Sequence, residues 1–131
     1  MRPTLLCYNL SGERAAKIRF AAMRFSILLR PVAPEEYSQT LGALCGLDGA
    51  LPQSQARQEE PFQEEMLVMA GFPAGLVQQL LQGMRRMKIA PVALKAVLTD
   101  VNSQWDSYRL YQEISAEHEA MTRGAAAVHR E

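Results

Sequence analysis

Residues 63–99 read QEEMLVMAGFPAGLVQQLLQGMRRMKIAPVALKAVLT: an apolar run at 66–70, a Gly-Phe-Pro break, an amphipathic segment and a second apolar run. That order predicts strand, helix, strand. Pro73 suits a first helical turn, where its missing N–H is not needed. Leu76, Leu80, Met84 and Met87 follow at steps of four, four and three, with Val77 and Leu81 widening the stripe, so one face of the helix is expected to be buried. Arg85, Arg86 and Lys88 crowd its last turn, where positive charge meets the negative end of the helix dipole, and no phosphate is needed to explain them.

The same pattern precedes it. Residues 4–9 (TLLCYN) form a short apolar run, Ser11 is a plausible N-cap, and Ala15, Ile18, Ala22 and Phe25 fall on one side of a helix from Glu13 onward. Residues 26–32 (SILLRPV) form a second strand, and Pro31, which cannot donate to a ladder, places it at an edge. Two tandem strand-helix-strand units predict a ferredoxin-like fold: a four-stranded antiparallel sheet from two split βαβ units, with an inserted helix and a C-terminal helix. A parallel doubly wound α/β sheet is the alternative. In the ferredoxin-like plan Met66–Ala70 is central and antiparallel to the first strand, and the second strand is an edge. The first and third strands are apolar at successive positions, so both of their faces must be covered. The crossover helices cover one face. The Pro34 helix, the C-terminal helix or a partner subunit must cover the other.

Between the units, Pro34-Glu35-Glu36 opens a helix with Tyr37, Leu41 and Leu44 as its stripe and Gly46 at its end. Residues 47–61 carry no periodicity and are expected to be a disordered or insertion-tolerant polar loop, so deleting 49–56 should change stability little. After Thr99 a last helix starts with Asn102 or Asp106 as N-cap, and Tyr111, Ile114, His118 and Met121 share a face. Residues 1–121 form a single α/β domain, and 122–131 form a tail expected to fray.

Composition narrows the partners. The 131 residues carry 14 Lys plus Arg and 14 Asp plus Glu, with 48% hydrophobic residues, so no global field favours nucleic acid or an anionic membrane. No apolar run approaches the roughly 20 residues of a membrane span, and a cytoplasmic location is the expectation. Cys7 and Cys45 lack CxxC spacing and read as small buried hydrophobes.

Three phrases carry a resemblance: Glu36-Tyr37 with Leu41-Gly42; PFQEEMLVM at 61–69; and LKAVLT at 94–99 with Asn102 and Trp105. They resemble a family of small bacterial proteins catalogued only as a domain of unknown function, from the first strand to the last helix. The resemblance implies a small cytoplasmic bacterial protein and supplies no activity, ligand or catalytic residue.

The residues that architecture leaves unexplained are few. Glu59, Glu60, Glu64 and Glu65 flank Pro61-Phe62, but neighbours on a strand point to opposite faces, so neither pair converges by itself. Lys95 interrupts the apolar VALKAVL, where it either guards an edge strand or pairs with an anion. Trp105, the single tryptophan, reads as a core plug or a stacking surface. His118 is flanked by Glu117 and Glu119, which face away on a helix, and His129 lies in the tail. There is no phosphate loop, GxSxG, HExxH or GxGxxG. The sequence therefore favours a non-enzymatic ligand- or protein-binding or regulatory module, compatible with a homodimer. The alternative is a small enzyme using Lys95 with a carboxylate from Glu59 to Glu65. Candidate binding residues are Asn9, Glu64, Glu65, Lys95, Thr99, Asn102 and Trp105, with no metal or cofactor. Lys95, the carboxylates and Trp105 are not expected to serve one site.

Overall fold

The computed structural model describes residues 2–47 and 59–129, with side chains up to Thr122. In chain order it contains β1 (Thr4–Tyr8), α1 (Gly12–Arg24), β2 (Leu28–Pro31), α2 (Leu41–Leu44), β3 (Met66–Ala70), α3 (Leu76–Arg86), β4 (Leu94–Val97) and α4 (Ser107–His129). The strands form one sheet in the order β2-β1-β3-β4. β1 pairs in parallel with β2 from Thr4 opposite Leu28, and β3 with β4 from Met66 opposite Leu94. The central pair, β1 and β3, is antiparallel, with Leu6 opposite Val68.

This mixed sheet overturns both the ferredoxin-like plan and the wholly parallel alternative. β1 and β3 are central and β2 and β4 lie at the edges, which is also what a ferredoxin-like sheet requires. The difference lies in where each crossover lands. Each helix returns the chain to the strand beside the one it left, giving two direct βαβ units joined back to back, whereas a split unit leaves a gap for a strand of the other half. Pro31 and Lys95 mark edge strands in either arrangement, so strand patterning cannot separate the two.

Alternation along the central strands divides the core in two. Leu5, Cys7, Leu67 and Met69 face α1 and α3, whose Ile18, Ala21, Ala22, Leu76, Leu80 and Met84 are buried against them. The two helices meet closely: a Cβ added at Gly83 of α3 would lie 2.9 Å from the Phe25 ring that follows α1. Leu6, Tyr8, Met66 and Val68 face the other way, onto Tyr37, Leu41, Phe62, Tyr108 and Leu110. The second face is thus covered from within the chain by α2, α4 and the segment around Phe62.

Several local expectations change. The helix expected from Pro34 breaks into a 3-10 turn at Pro34–Glu36 and a separate α2, because Thr40 is extended, caps α2 by accepting from Ala43 N–H at 3.2 Å, and bridges Asp106. α3 begins at Leu76 after a turn through Gly75, whose φ of 85° places it in the left-handed region. Of the two caps proposed for the last helix only Asp106 is used: its carboxylate accepts from Arg109 N–H at 2.9 Å at the start of α4, whereas Asn102 is the first residue of a separate 3-10 turn whose cap position is Val101. α4 is helical to His129, past the Met121 where the sequence pattern stops. Residues 48–58, which include most of the polar loop expected over 47–61 and the whole of the 49–56 deletion, lie outside the described residues.

Candidate binding cleft beside the carboxylate segment

β1 is followed by Asn9, a non-glycine residue with φ of 62°. Asparagine tolerates this conformation, and here its side chain is fully engaged. Its amide donates to the Phe62 and Glu64 carbonyls at 2.9 and 2.8 Å, and its oxygen accepts from the Tyr37 hydroxyl at 3.4 Å. Asn9 thereby holds the irregular segment leading into β3. The Tyr108 hydroxyl anchors the same segment by donating to the Glu59 carbonyl at 3.2 Å. Phe62 drives inward and stacks on Tyr37 and Tyr111, with ring centroids 4.7 and 4.3 Å apart.

Pinned this way, the segment sends Glu64 and Glu65 in different directions. Glu65 turns to α1 and pairs with Arg14 Nε at 2.7 Å. Glu64 turns to α4, where it accepts from the Tyr111 hydroxyl. That bond, with support from backbone amides, lowers the Glu64 pKa below the ordinary carboxylate value. Glu64 and, to a lesser degree, burial push the Tyr111 phenol up to about 12. The two side chains border a cleft of about 410 Å³ between the carboxylate segment, the entry to β4 at Pro91, Ala93 and Leu94, and the α4 face bearing Tyr111, Ser115, His118 and Glu119. Glu64 and Glu119 make its rim acidic, since Glu65 is paired with Arg14.

The pair makes opposite contributions at the two ends of the pH scale. Because the Glu64 pKa is lowered on folding, its contribution is present above the unfolded carboxylate pKa and is lost as pH falls through the lowered value. The raised Tyr111 pKa contributes below the ordinary value of 10.0 and is lost as pH rises towards about 12. Glu64→Gln should bring the Tyr111 phenol back towards its ordinary pKa, read by phenolate absorbance. An unchanged titration would mean that Glu64 is not its partner.

The other sequence candidates lie elsewhere. Lys95 sits opposite Leu67, on the α3 side of the sheet, and its ammonium donates to the Val92 carbonyl. It lines a separate cavity of about 150 Å³ with Arg85, Leu81, Met84, Ile89, Pro91 and Val92. Thr99 and Asn102 lie beyond the far end of β4 and bind each other: the Asn102 side chain accepts from Thr99 N–H at 2.8 Å and donates to the Val97 carbonyl at 3.0 Å, and the Thr99 hydroxyl accepts from Asn102 N–H at 3.1 Å. Trp105 packs partly against the second core with the Arg109 guanidinium 4.5 Å from its ring centroid. Asn9, Glu64 and Glu65 thus gather at one end of the sheet, and Thr99, Asn102 and Trp105 at the other. Sequence reasoning did not name Phe62, Tyr111, Ser115 or Glu119 as site residues. A signal was present for two of them, since Tyr111, Ser115 and His118 recur at helical spacing.

Burial raises the Cys7 thiol to about 12 and the Cys45 thiol to about 11, so both are poor nucleophiles at neutral pH. Among the described residues, no group of three or more His, Cys, Asp or Glu is placed to hold a metal ion, and no helix is long and apolar enough to cross a membrane.

The fold and cleft define a small α/β domain with helices on both faces of a mixed sheet. Residues 65–121 match the family model described as Domain of unknown function (DUF3783). The match covers the second βαβ unit and α4 up to Met121, a shorter span than the resemblance suggested, and it leaves out β1, α1, β2 and the Glu36-Tyr37 phrase. No curated protein and no solved structure matches the chain.

Proposed function

We propose that the protein is a binding module whose cleft at Glu64 and Tyr111 takes a small cationic group, such as an organic amine or the guanidinium of an arginine side chain. The observation that carries this reading is the placement of Glu64 and Tyr111 together at the rim of a concave site that also bears Glu119, while Glu65 on the same rim is paired with Arg14. Leu94 and Pro91 supply apolar wall, and Ser115 and His118 supply further hydrogen-bonding groups. NMR titration with arginine and with a primary diamine tests it. Shifts should concentrate at Tyr111, Ser115 and His118, and Glu64→Gln should weaken binding about tenfold, as loss of a charge-assisted hydrogen bond predicts. Absence of shifts at those residues with either probe would overturn the reading.

A second reading is favoured by the strand register. Lys95 lies opposite Leu67, so Glu65 is its diagonal neighbour on the same face, and Glu65 is the carboxylate best placed to work with Lys95 in a small enzyme. In the ground state both are engaged, Glu65 by Arg14 and Lys95 by the Val92 carbonyl. Lys95→Met should therefore leave cationic-ligand binding unchanged. Loss of binding in that variant would shift the site to the α3 side.

A further inference from the structure

The end of α3 shapes a second concave surface. Lys88 adopts a φ of 59°, and the chain folds back so that Ile89 N–H donates to the Met84 carbonyl at 3.0 Å and Lys88 N–H to the Arg85 carbonyl at 2.9 Å. From this turn the chain runs through Pro91 and Val92 into the edge strand β4. Between the last turns of α3 and this return lies the cavity of about 150 Å³ that Lys95 lines. Its floor is apolar: Met84, Ile89 and Val92 are 4%, 7% and 1% exposed, and Leu81 beside them is half-buried. Its charged groups are both cations, the exposed Arg85 and the half-buried Lys95.

Nothing in the chain neutralises them. No acid lines the cavity, and among the described residues neither cation has an acidic partner. Lys95 spends one of its three N–H donors on the Val92 carbonyl, which leaves two for another acceptor. Glu65, the carboxylate on the same face of the sheet, is taken by Arg14. Charge at a helix end accounts for Arg85 alone, since Lys95 comes from a different element. The helix carbonyls that would repel an anion here already accept backbone bonds, Gly83 from Met87, Met84 from Ile89 and Arg85 from Lys88.

We infer that this cavity binds a short-chain aliphatic monocarboxylate, with the carboxylate between Arg85 and Lys95 and the alkyl chain on Leu81, Met84, Ile89 and Val92. A guanidinium and an ammonium give the carboxylate charge-assisted hydrogen bonds from two sides. An apolar cavity of about 150 Å³ holds a molecule the size of benzene, which corresponds to a chain of about five carbons. Inorganic phosphate would satisfy the cations and leave the apolar floor empty, and a dicarboxylate would force its second charge onto that floor. The site lies on the α3 side of the sheet and is independent of the cationic-ligand cleft beside α4.

NMR titration of the full chain with pentanoate tests the assignment. Amide shifts should saturate at Ile89, Val92 and Lys95. Affinity should rise about three- to fourfold for each methylene from propanoate to pentanoate, the gain from burying one more CH₂. Pentanamide, which has nearly the same shape and no charge, should bind at least about tenfold more weakly. Arg85→Gln and Lys95→Met should each weaken pentanoate binding by about tenfold or more, as loss of a charge-assisted hydrogen bond predicts, with circular dichroism showing that both variants fold. The inference would be overturned by no saturable shift at those three residues up to about 10 mM pentanoate, by an affinity independent of chain length, by phosphate binding there as tightly as pentanoate, or by folded variants that bind like the parent.

Discussion

Phe62→Ala is expected to destabilise the domain by about 3–5 kcal/mol, the usual cost of removing a buried aromatic ring. Phe62 is 8% exposed and lies among Tyr8, Tyr37, Tyr108 and Tyr111, with centroid separations from 4.3 to 6.4 Å. It ties together the two central strands, the turn after Pro34 and α4. Truncation leaves a cavity that none of these rigid rings can fill by rotating, so the cost should fall at the high end. Chemical denaturation reads the loss directly. Phe62→Leu, which keeps most of the apolar volume, should cost only about 1–2 kcal/mol. The alanine variant should also release Tyr111 from its stack, so that hydrogen exchange in α4 accelerates more than in α3. A loss below about 1 kcal/mol would mean that the segment leading into β3 is not part of the core.

Asn9→Ala carries the second large effect, about 3–4 kcal/mol. Alanine at a φ of 62° costs about 1–2 kcal/mol, and the lost amide leaves the Phe62 and Glu64 carbonyls without a donor at about 1 kcal/mol each. Asn9→Gly separates the two contributions. Glycine adopts the conformation freely, so its variant should be the more stable of the two by roughly the backbone share. Equal losses in both would show that the left-handed conformation is not a source of strain. Because Asn9 positions the segment that carries Glu64, both variants should also weaken cationic-ligand binding in the cleft.

Asn9 shows how far the candidate site could be read from sequence. It entered as a residue at a strand end, and Glu64 and Glu65 entered as carboxylates at a strand start. Antiparallel pairing of β1 with β3 brings these together. Their division of labour could not be read. Glu65 faces α1 and Glu64 faces α4 because alternation sends neighbours to opposite sides, but the identity of each side depends on where the helices pack. Lys95 illustrates the reverse case. Its edge position agrees with the pattern, yet the cavity it shares with Arg85 exists only because α3 lies over β4.

Periodicity and turn chemistry determined the strand-helix-strand order of both halves, the burial of both faces of β1 and β3, and the edge positions of β2 and β4. These follow from which residues tolerate water and which can donate to a ladder, properties carried by each residue individually. Whether β2 lies beside β1 or beside β3 was decided only in three dimensions. The two arrangements bury the same strand faces and expose the same edges. Their energies differ through contacts between distant elements, such as the close approach of α1 and α3 at Gly83 and the aromatic cluster that joins residue 62 to α4. Those contacts depend on side-chain shapes meeting across the sheet, and no local pattern records them.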